Sequence, residues 1–187
     1  MRDIVTKILN VTNEELDSLN TSIFNMYNFY HDISYTHLES GKEHYRLLIY
    51  IASLFNKDLM FDIGTNKCMS AAALSSGYTN KVKSYDVMKI LPNNPILPNV
   101  IYVLGDVCED ESLKDAKFIF LDTLHDGMFE NRFLGHLHDI NYKGILMLDD
   151  IHLNLEMEKF WSNIIEEKWD ITSKGHWSGS GLVLFDN

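Results

Sequence analysis

Two acidic clusters in the second half of this 187-residue chain have the greatest capacity for chemistry: Asp122-Thr123-Leu124-His125 and Asp149-Asp150. Three carboxylates brought together make an oxygen-rich site for a hard divalent cation, most simply Mg²⁺. Without a cation they would repel and raise one another's pKa. Taken alone, Asp149-Asp150 reads equally well as a turn entering a helix, because Asp suits turns and caps. His125, three residues past Asp122, is a candidate base or ligand beside that cation. Three further acids stand earlier, in Asp62-x-Gly64, Asp86 and Gly105-Asp106. Asp86 follows the glycine by about 20 residues, the spacing of a ribose-binding carboxylate in nucleotide folds. Asp106 can accept an adenine amino group. With the Gly64 turn these acids describe an adenosine site. The turn continues Thr65-Asn66-Lys67-Cys68, which is neither G-x-G-x-x-G nor a Walker loop, so the expected cofactor lacks phosphates.

Each of these acids ends an apolar run with strand character. The runs cover 59–63, 81–85, 100–104, 117–121 and 144–148. Helical patterns lie between most of them: 70–76 with Gly77 behind it, 128–140, and 155–167 with Phe160, Trp161, Ile164 and Ile165 inward. Pro92, Pro95 and Pro98 mark 91–98 as a loop. Runs 169–173 and 182–185, joined by the glycine-rich stretch 175–181, read as an antiparallel hairpin. Such alternation builds a mostly parallel α/β sheet with one antiparallel strand. Ligands of such sheets bind outside the carboxyl ends of the strands, which puts all five acidic ends on one rim.

Residues 1–58 read as a helical cover or lid over a single unit of residues 59–187. Thr12 and Glu15 form a capping-box pattern for a helix running to about residue 30. Its aromatic-rich part, with Ile23, Phe24, Met26, Tyr27, Phe29 and Tyr30, suits core packing, a lid or a homodimer surface. Ser40-Gly41-Lys42-Glu43 is a second capping box, before a stripe of Leu47, Leu48, Ile51, Ala52, Leu54 and Phe55. His136 and His138 read as surface residues. His31, His37, His44, His152 and His176 carry no signal of their own, although His37 or His176 can reach the cleft from loops.

The net charge of −11 argues against nucleic acid or an anionic membrane as partner. Cys68 and Cys108 have neither disulfide-framework nor zinc-ligand spacing and read as reduced thiols in a cytoplasmic setting. The first residues are too rich in acids and amides for a signal peptide, and no apolar run approaches the ~20 residues that span a bilayer.

Taken together, FDIGTNKCMSAAAL, SYD, LGD, IFLDTLHD and KGILMLDDIH resemble, in order and spacing, the motifs of class I S-adenosylmethionine-dependent methyltransferases, and among them the metal-dependent O-methyltransferases of the catechol and macrocin type. The resemblance covers roughly residues 59–186. It implies a Rossmann-like seven-stranded sheet with a reversed last strand. It implies cofactor contacts at Asp62, Gly64, Thr65, Ser70, Asp86 and Asp106, and metal contacts at Asp122, Asp149 and Asp150. The family's second glycine is Cys68 here, its Gly-Gly before the fifth strand is Lys143-Gly144, and a proline loop replaces one helix. The expected activity is Mg²⁺-assisted methyl transfer to a hydroxyl of a small molecule, a sugar or a diol, with His125 or Asp122 taking the proton. The alternatives are a methyltransferase-fold binding protein without catalysis, and a metal-dependent hydrolase or hydroxylase using the same carboxylates.

Overall fold

All five predicted strand runs and the closing hairpin join one seven-stranded sheet in the computed structural model, which describes residues 1–26, 38–77, 79–88 and 95–186. The strands are β1 (Leu59–Ile63), β2 (Lys81–Asp86), β3 (Val100–Leu104), β4 (Phe118–Leu121), β5 (Gly144–Asp149), β6 (Glu167–Asp170) and β7 (Ser180–Phe185). Their order is β3-β2-β1-β4-β5-β7-β6. Only β7 runs against its neighbours, inserted between β5 and β6. This is the mostly parallel sheet with a reversed last strand that the motifs imply.

Every residue of β4 and β5 is buried, because helices cover both faces. One face, with Met60, Phe118, Phe120, Ile145 and Met147, packs against α1 (Arg2–Asn10), α2 (Asn13–Asp17), α3 (Ser22–Met26), α4 (Tyr45–Ser53) and α5 (Met69–Leu74). The other face, with Phe61, Ile119, Leu121 and Leu148, packs against α6 (Met128–Asp139) and α7 (Leu155–Asn163). No helix among the described residues is long and apolar enough to cross a membrane.

The N-terminal cover departs from the expected pattern in two places. The Thr12–Glu15 capping box forms, but α2 stops at Asp17. The Arg46 guanidinium donates to the Leu16, Asp17 and Leu19 carbonyls at 3.3, 2.8 and 3.1 Å, and these would otherwise continue the helix ladder. The chain restarts as α3, and Tyr27, Phe29, Tyr30, His31 and His37 lie outside the described residues. The second capping box does not form. Ser40 Oγ bonds to Asp17 Oδ1 at 3.1 Å, and Gly41 has φ +77°, which no helix interior adopts. The helix therefore begins at Tyr45, which leaves Glu43 and His44 in the turn ahead of it. At the other end, α7 stops at Asn163 and Ile165 is exposed rather than inward.

Candidate functional site

Strands β4 and β5 pair through Leu121 and Leu148, so Asp122 and Asp149 leave the sheet side by side. In each strand the acid lies two residues past a core residue, Phe120 or Met147, on the face that α4 covers. That alternation aims both carboxylates at the turn before α4. His44 meets them there. Its ring is 3% exposed, packs 4.7 Å from the Phe120 ring centroid, and holds Nδ1 3.3 Å from Asp149 Oδ2. The approach lacks hydrogen-bond geometry, and neither ring nitrogen of His44 has a hydrogen-bond partner among the described residues.

His176 enters from the β6–β7 loop. Its Nδ1 lies 3.2 Å from Asp149 Oδ2 and 3.1 Å from Asp150 Oδ1, and its Nε2 is 3.9 Å from Glu43 Oε1. Ser178 Oγ donates to Asp150 Oδ1 and stands 2.9 Å from His176 Nδ1. His125 comes from the loop after β4, with Nε2 3.2 Å from Asp122 Oδ1 and Nδ1 3.4 Å from Asp150 Oδ2. That loop is pinned. Glu130 accepts from the His125 backbone N–H and the Thr123 hydroxyl, and Asn154 donates to the His125 carbonyl. His125 and Asp150 both have positive φ, +56° and +59°, a backbone cost that clusters at functional sites.

The charges follow from this crowding. Burial works against the charged form of Asp149, but the His44 and His176 imidazoles outweigh it and hold the carboxyl well below its usual range. Burial also opposes charge on His176, yet its bonds to Asp149 and Asp150 raise it to about 10. His44 and His125 are raised in the same manner by neighbouring acids. Asp122 is raised, first by burial and then by Asp149, with His125 acting against both. Donor atoms of His44, Asp122 and Asp149 all lie within 4.8 Å of one another, and so do those of Asp149, Asp150 and His176 and those of Glu43, His44 and His176. A cation fits this donor set, since Asp149 Oδ1 is also buried without a partner among the described residues.

The predicted cofactor residues other than Asp106 form a second group at the ends of β1 and β2. Gly64 has φ +101°, and its N–H and that of Thr65 both donate to the Tyr85 carbonyl. Asp62 is fully buried and accepts from Ser84 Oγ at 2.6 Å. Ser84 in turn meets Thr65 Oγ1 at 2.6 Å, and Ser70 also supports Asp62. Burial raises the Asp62 carboxyl to about 7. Asp86 accepts the Asn66 and Met88 N–H groups, each at 2.9 Å. Asp106 is engaged elsewhere, capping Cys108 N at 3.0 Å and pairing with Arg132 at 2.7 Å. Cys68 takes a left-handed backbone conformation, at φ +67°. Its thiol is fully buried and pushed up to about 12 by that burial, with the Tyr102 hydroxyl acting the other way.

The structure thus brings Asp122, His125, Asp149 and Asp150 together, as their strand-end positions require. It also gathers Asp62, Thr65 and Ser70 into one network. The sequence reading missed His44, Glu43 and Ser178, and His176 had only its loop position to point to it. Two open clefts of about 450 and 380 Å³ lie away from these acids, one beside Arg2 and Lys143, the other beside Asp126 and Glu156.

No protein-family model matches the chain, and no curated protein matches it. Solved structures do match in fold. The methyltransferase PaMTH1 of Podospora anserina, bound to SAH, aligns over 100% of this chain and 94% of its own, at 12% identity and a TM-score of 0.60. Cofactor-bound Rv0187 from MTB aligns over 94% and 98%, at 11% identity and a TM-score of 0.64. The O-methyltransferase TomG of Streptomyces achromogenes, in complex with SAM, aligns over 100% and 96%, at 12% identity and a TM-score of 0.57. The chain shares the fold of these three solved structures along 94–100% of its length.

Proposed function

We propose that this protein transfers the methyl group of S-adenosylmethionine to a hydroxyl oxygen of a small molecule, with a divalent cation beside the acceptor. One observation carries the reading: a glycine turn over a buried acid at the end of β1 stands next to the gathered acids at the ends of β4 and β5. The first suits an adenosine cofactor and the second a cation. The residues fit the cofactor in one further respect. Asp62 Oδ1 is buried with no hydrogen-bond partner among the described residues, an acceptor that an ammonium group would satisfy. Asp62, Gly64, Thr65, Ser70, Asp86 and Asp106 would hold the cofactor, and Asp122, Asp149 and Asp150 the cation. When bound, the cofactor supplies a methyl already activated on a sulfonium, and the cation a Lewis acid that acidifies the acceptor oxygen.

The remaining work falls to the chain itself. Positioning of acceptor against methyl donor can supply ~7–11 kcal/mol of the barrier. His125 removes the acceptor proton. Against burial, Asp122 and Asp150 raise its pKa and favour the protonated ring, so it becomes a readier base when those carboxylates are neutralised from another side. A sugar or catechol-like diol, which offers two adjacent oxygens, is the acceptor class. On the three carboxylates alone the cation is Mg²⁺.

Calorimetry with S-adenosylmethionine tests the cofactor. Saturable heat is expected, and no heat together with no thermal shift at millimolar cofactor would sink the reading. A binding protein without methyl transfer is the second reading. The observation that favours it is Asp106, whose two oxygens are already taken by Cys108 N and Arg132.

A further inference from the structure

His44 is the least explained polar side chain among the described residues. An imidazole that is 3% exposed ordinarily satisfies at least one nitrogen by a hydrogen bond, because a buried unpaired polar group costs about 1–3 kcal/mol. Here both nitrogens lack such a partner, and so does the adjacent Asp149 Oδ1. The ring is fixed by packing between Tyr45 and Phe120, with centroids at 4.5 and 4.7 Å, so it is held toward the acids.

Two separations suit a shared ion. Two neighbouring donors bound at about 2.0–2.2 Å stand about 2.8–3.6 Å apart at octahedral or tetrahedral angles. Asp149 Oδ2 lies 3.3 Å from His44 Nδ1 and 3.2 Å from His176 Nδ1. Asp122 completes one group with His44 and Asp149, whereas His176 belongs to two others, with Glu43 and His44 and with Asp149 and Asp150, so a centre of four donors needs a side-chain shift that closes these groups on one another.

We propose that His44, His176, Asp122 and Asp149 together hold one divalent cation, in a two-imidazole, two-carboxylate centre. The inference deepens the cation part of the proposed function and rests on that part, while standing apart from methyl transfer. Its consequence is metal identity. Imidazole donors suit Zn²⁺, Fe²⁺ and similar first-row ions, whereas Mg²⁺ prefers oxygen alone and keeps its waters. The site therefore selects Zn²⁺ or Co²⁺ over Mg²⁺. Its ligands come from the turn before α4, from the ends of β4 and β5, and from the β6–β7 loop, so the ion also ties the N-terminal cover to the sheet.

The test starts from full-length protein stripped with a chelator. Zn²⁺, Co²⁺ and Mg²⁺ are titrated separately, by calorimetry and by thermal melting. Zn²⁺ at a hundredfold excess over its Kd is expected to raise Tm by about 5–10 °C. Co²⁺ is expected to give the visible absorption of an imidazole-ligated ion. Mg²⁺ at millimolar concentration is expected to do much less. His44→Gln and His176→Gln are each expected to weaken Zn²⁺ binding tenfold or more. His176 is the less buried of the two, which keeps the test open if His44→Gln fails to fold. Equal responses to Mg²⁺ and Zn²⁺ would overturn the proposal, as would wild-type Zn²⁺ affinity in His176→Gln. S-adenosylmethionine heat without a Zn²⁺ response removes this centre and leaves methyl transfer. A Zn²⁺ response without cofactor heat does the reverse.

Discussion

A Cβ atom on Gly64 would lie 1.6 Å from the backbone carbonyl oxygen of Asp122. The glycine that looks like a cofactor feature is therefore needed first by the sheet, because the β1 turn and the β4 end nearly touch. The Asp122 N–H donates to the Ile63 carbonyl at 2.9 Å, which locks the two ends together. The proposed cofactor turn and the acids of the cation site thus share one piece of backbone.

Gly64→Ala consequently carries two penalties: a φ of +101° that alanine resists, and an overlap with backbone that has no room to move. The expected loss is about 4 kcal/mol or more, read as a lower urea midpoint or as failure to fold. Unchanged stability would mean that the two strand ends stand further apart.

Asp62 makes stability depend on pH. Its carboxyl is raised to about 7 when folded, chiefly by burial, against about 3.9 unfolded. A raised carboxyl favours the protonated form in the fold. Its penalty is absent below about pH 4, grows between pH 4 and pH 7, and is constant above, at most about 4 kcal/mol. Asp62→Asn is expected to flatten that slope and to raise stability at pH 8. Denaturant melts at pH 4, 6 and 8 check it, and an unaltered slope in the variant would assign the dependence to other groups.

How much of this was legible in the sequence differs from residue to residue. Asp122 and Asp149 end apolar runs, and the side-chain period of two together with parallel pairing was enough to place them together. His44 was hidden by a local pattern. Ser40-Gly41-Lys42-Glu43 has the letters of a capping box, and only the tertiary bond from Ser40 to Asp17 diverts it and shifts the helix start. His176 sits in a loop without periodicity, so nothing local could aim it at Asp149. The Arg46 contacts that break the first long helix are likewise long-range.

Asp149→Asn removes the counter-charge of two imidazoles at once. Leaving a buried partner unpaired costs about 3–5 kcal/mol, so the cation-free variant is expected to melt well below the wild type. It is also expected to lose its response to divalent cations while keeping calorimetric binding of S-adenosylmethionine. Loss of cofactor binding with retained cation response would mean that the two sites had been exchanged.

Arg132 decides whether Asp106 serves the cofactor. Its pair with Asp106 is exposed, 53% and 31% by side chain, so breaking it costs stability under about 1 kcal/mol. The same pair holds the Asp106 carboxyl below its ordinary range, the Arg132 hydrogen bond being the main cause, and it engages an oxygen that an adenine amino group would need. Arg132→Met frees that oxygen. If Asp106 serves the cofactor, the variant binds S-adenosylmethionine up to about tenfold more tightly, the equivalent of about 1.4 kcal/mol, and Asp106→Asn binds it more weakly. Isothermal titration of both variants at one ionic strength reads the two effects. Weaker binding in Arg132→Met would show instead that the pair positions Asp106 for the adenine, and unchanged affinity in both would remove Asp106 from the site.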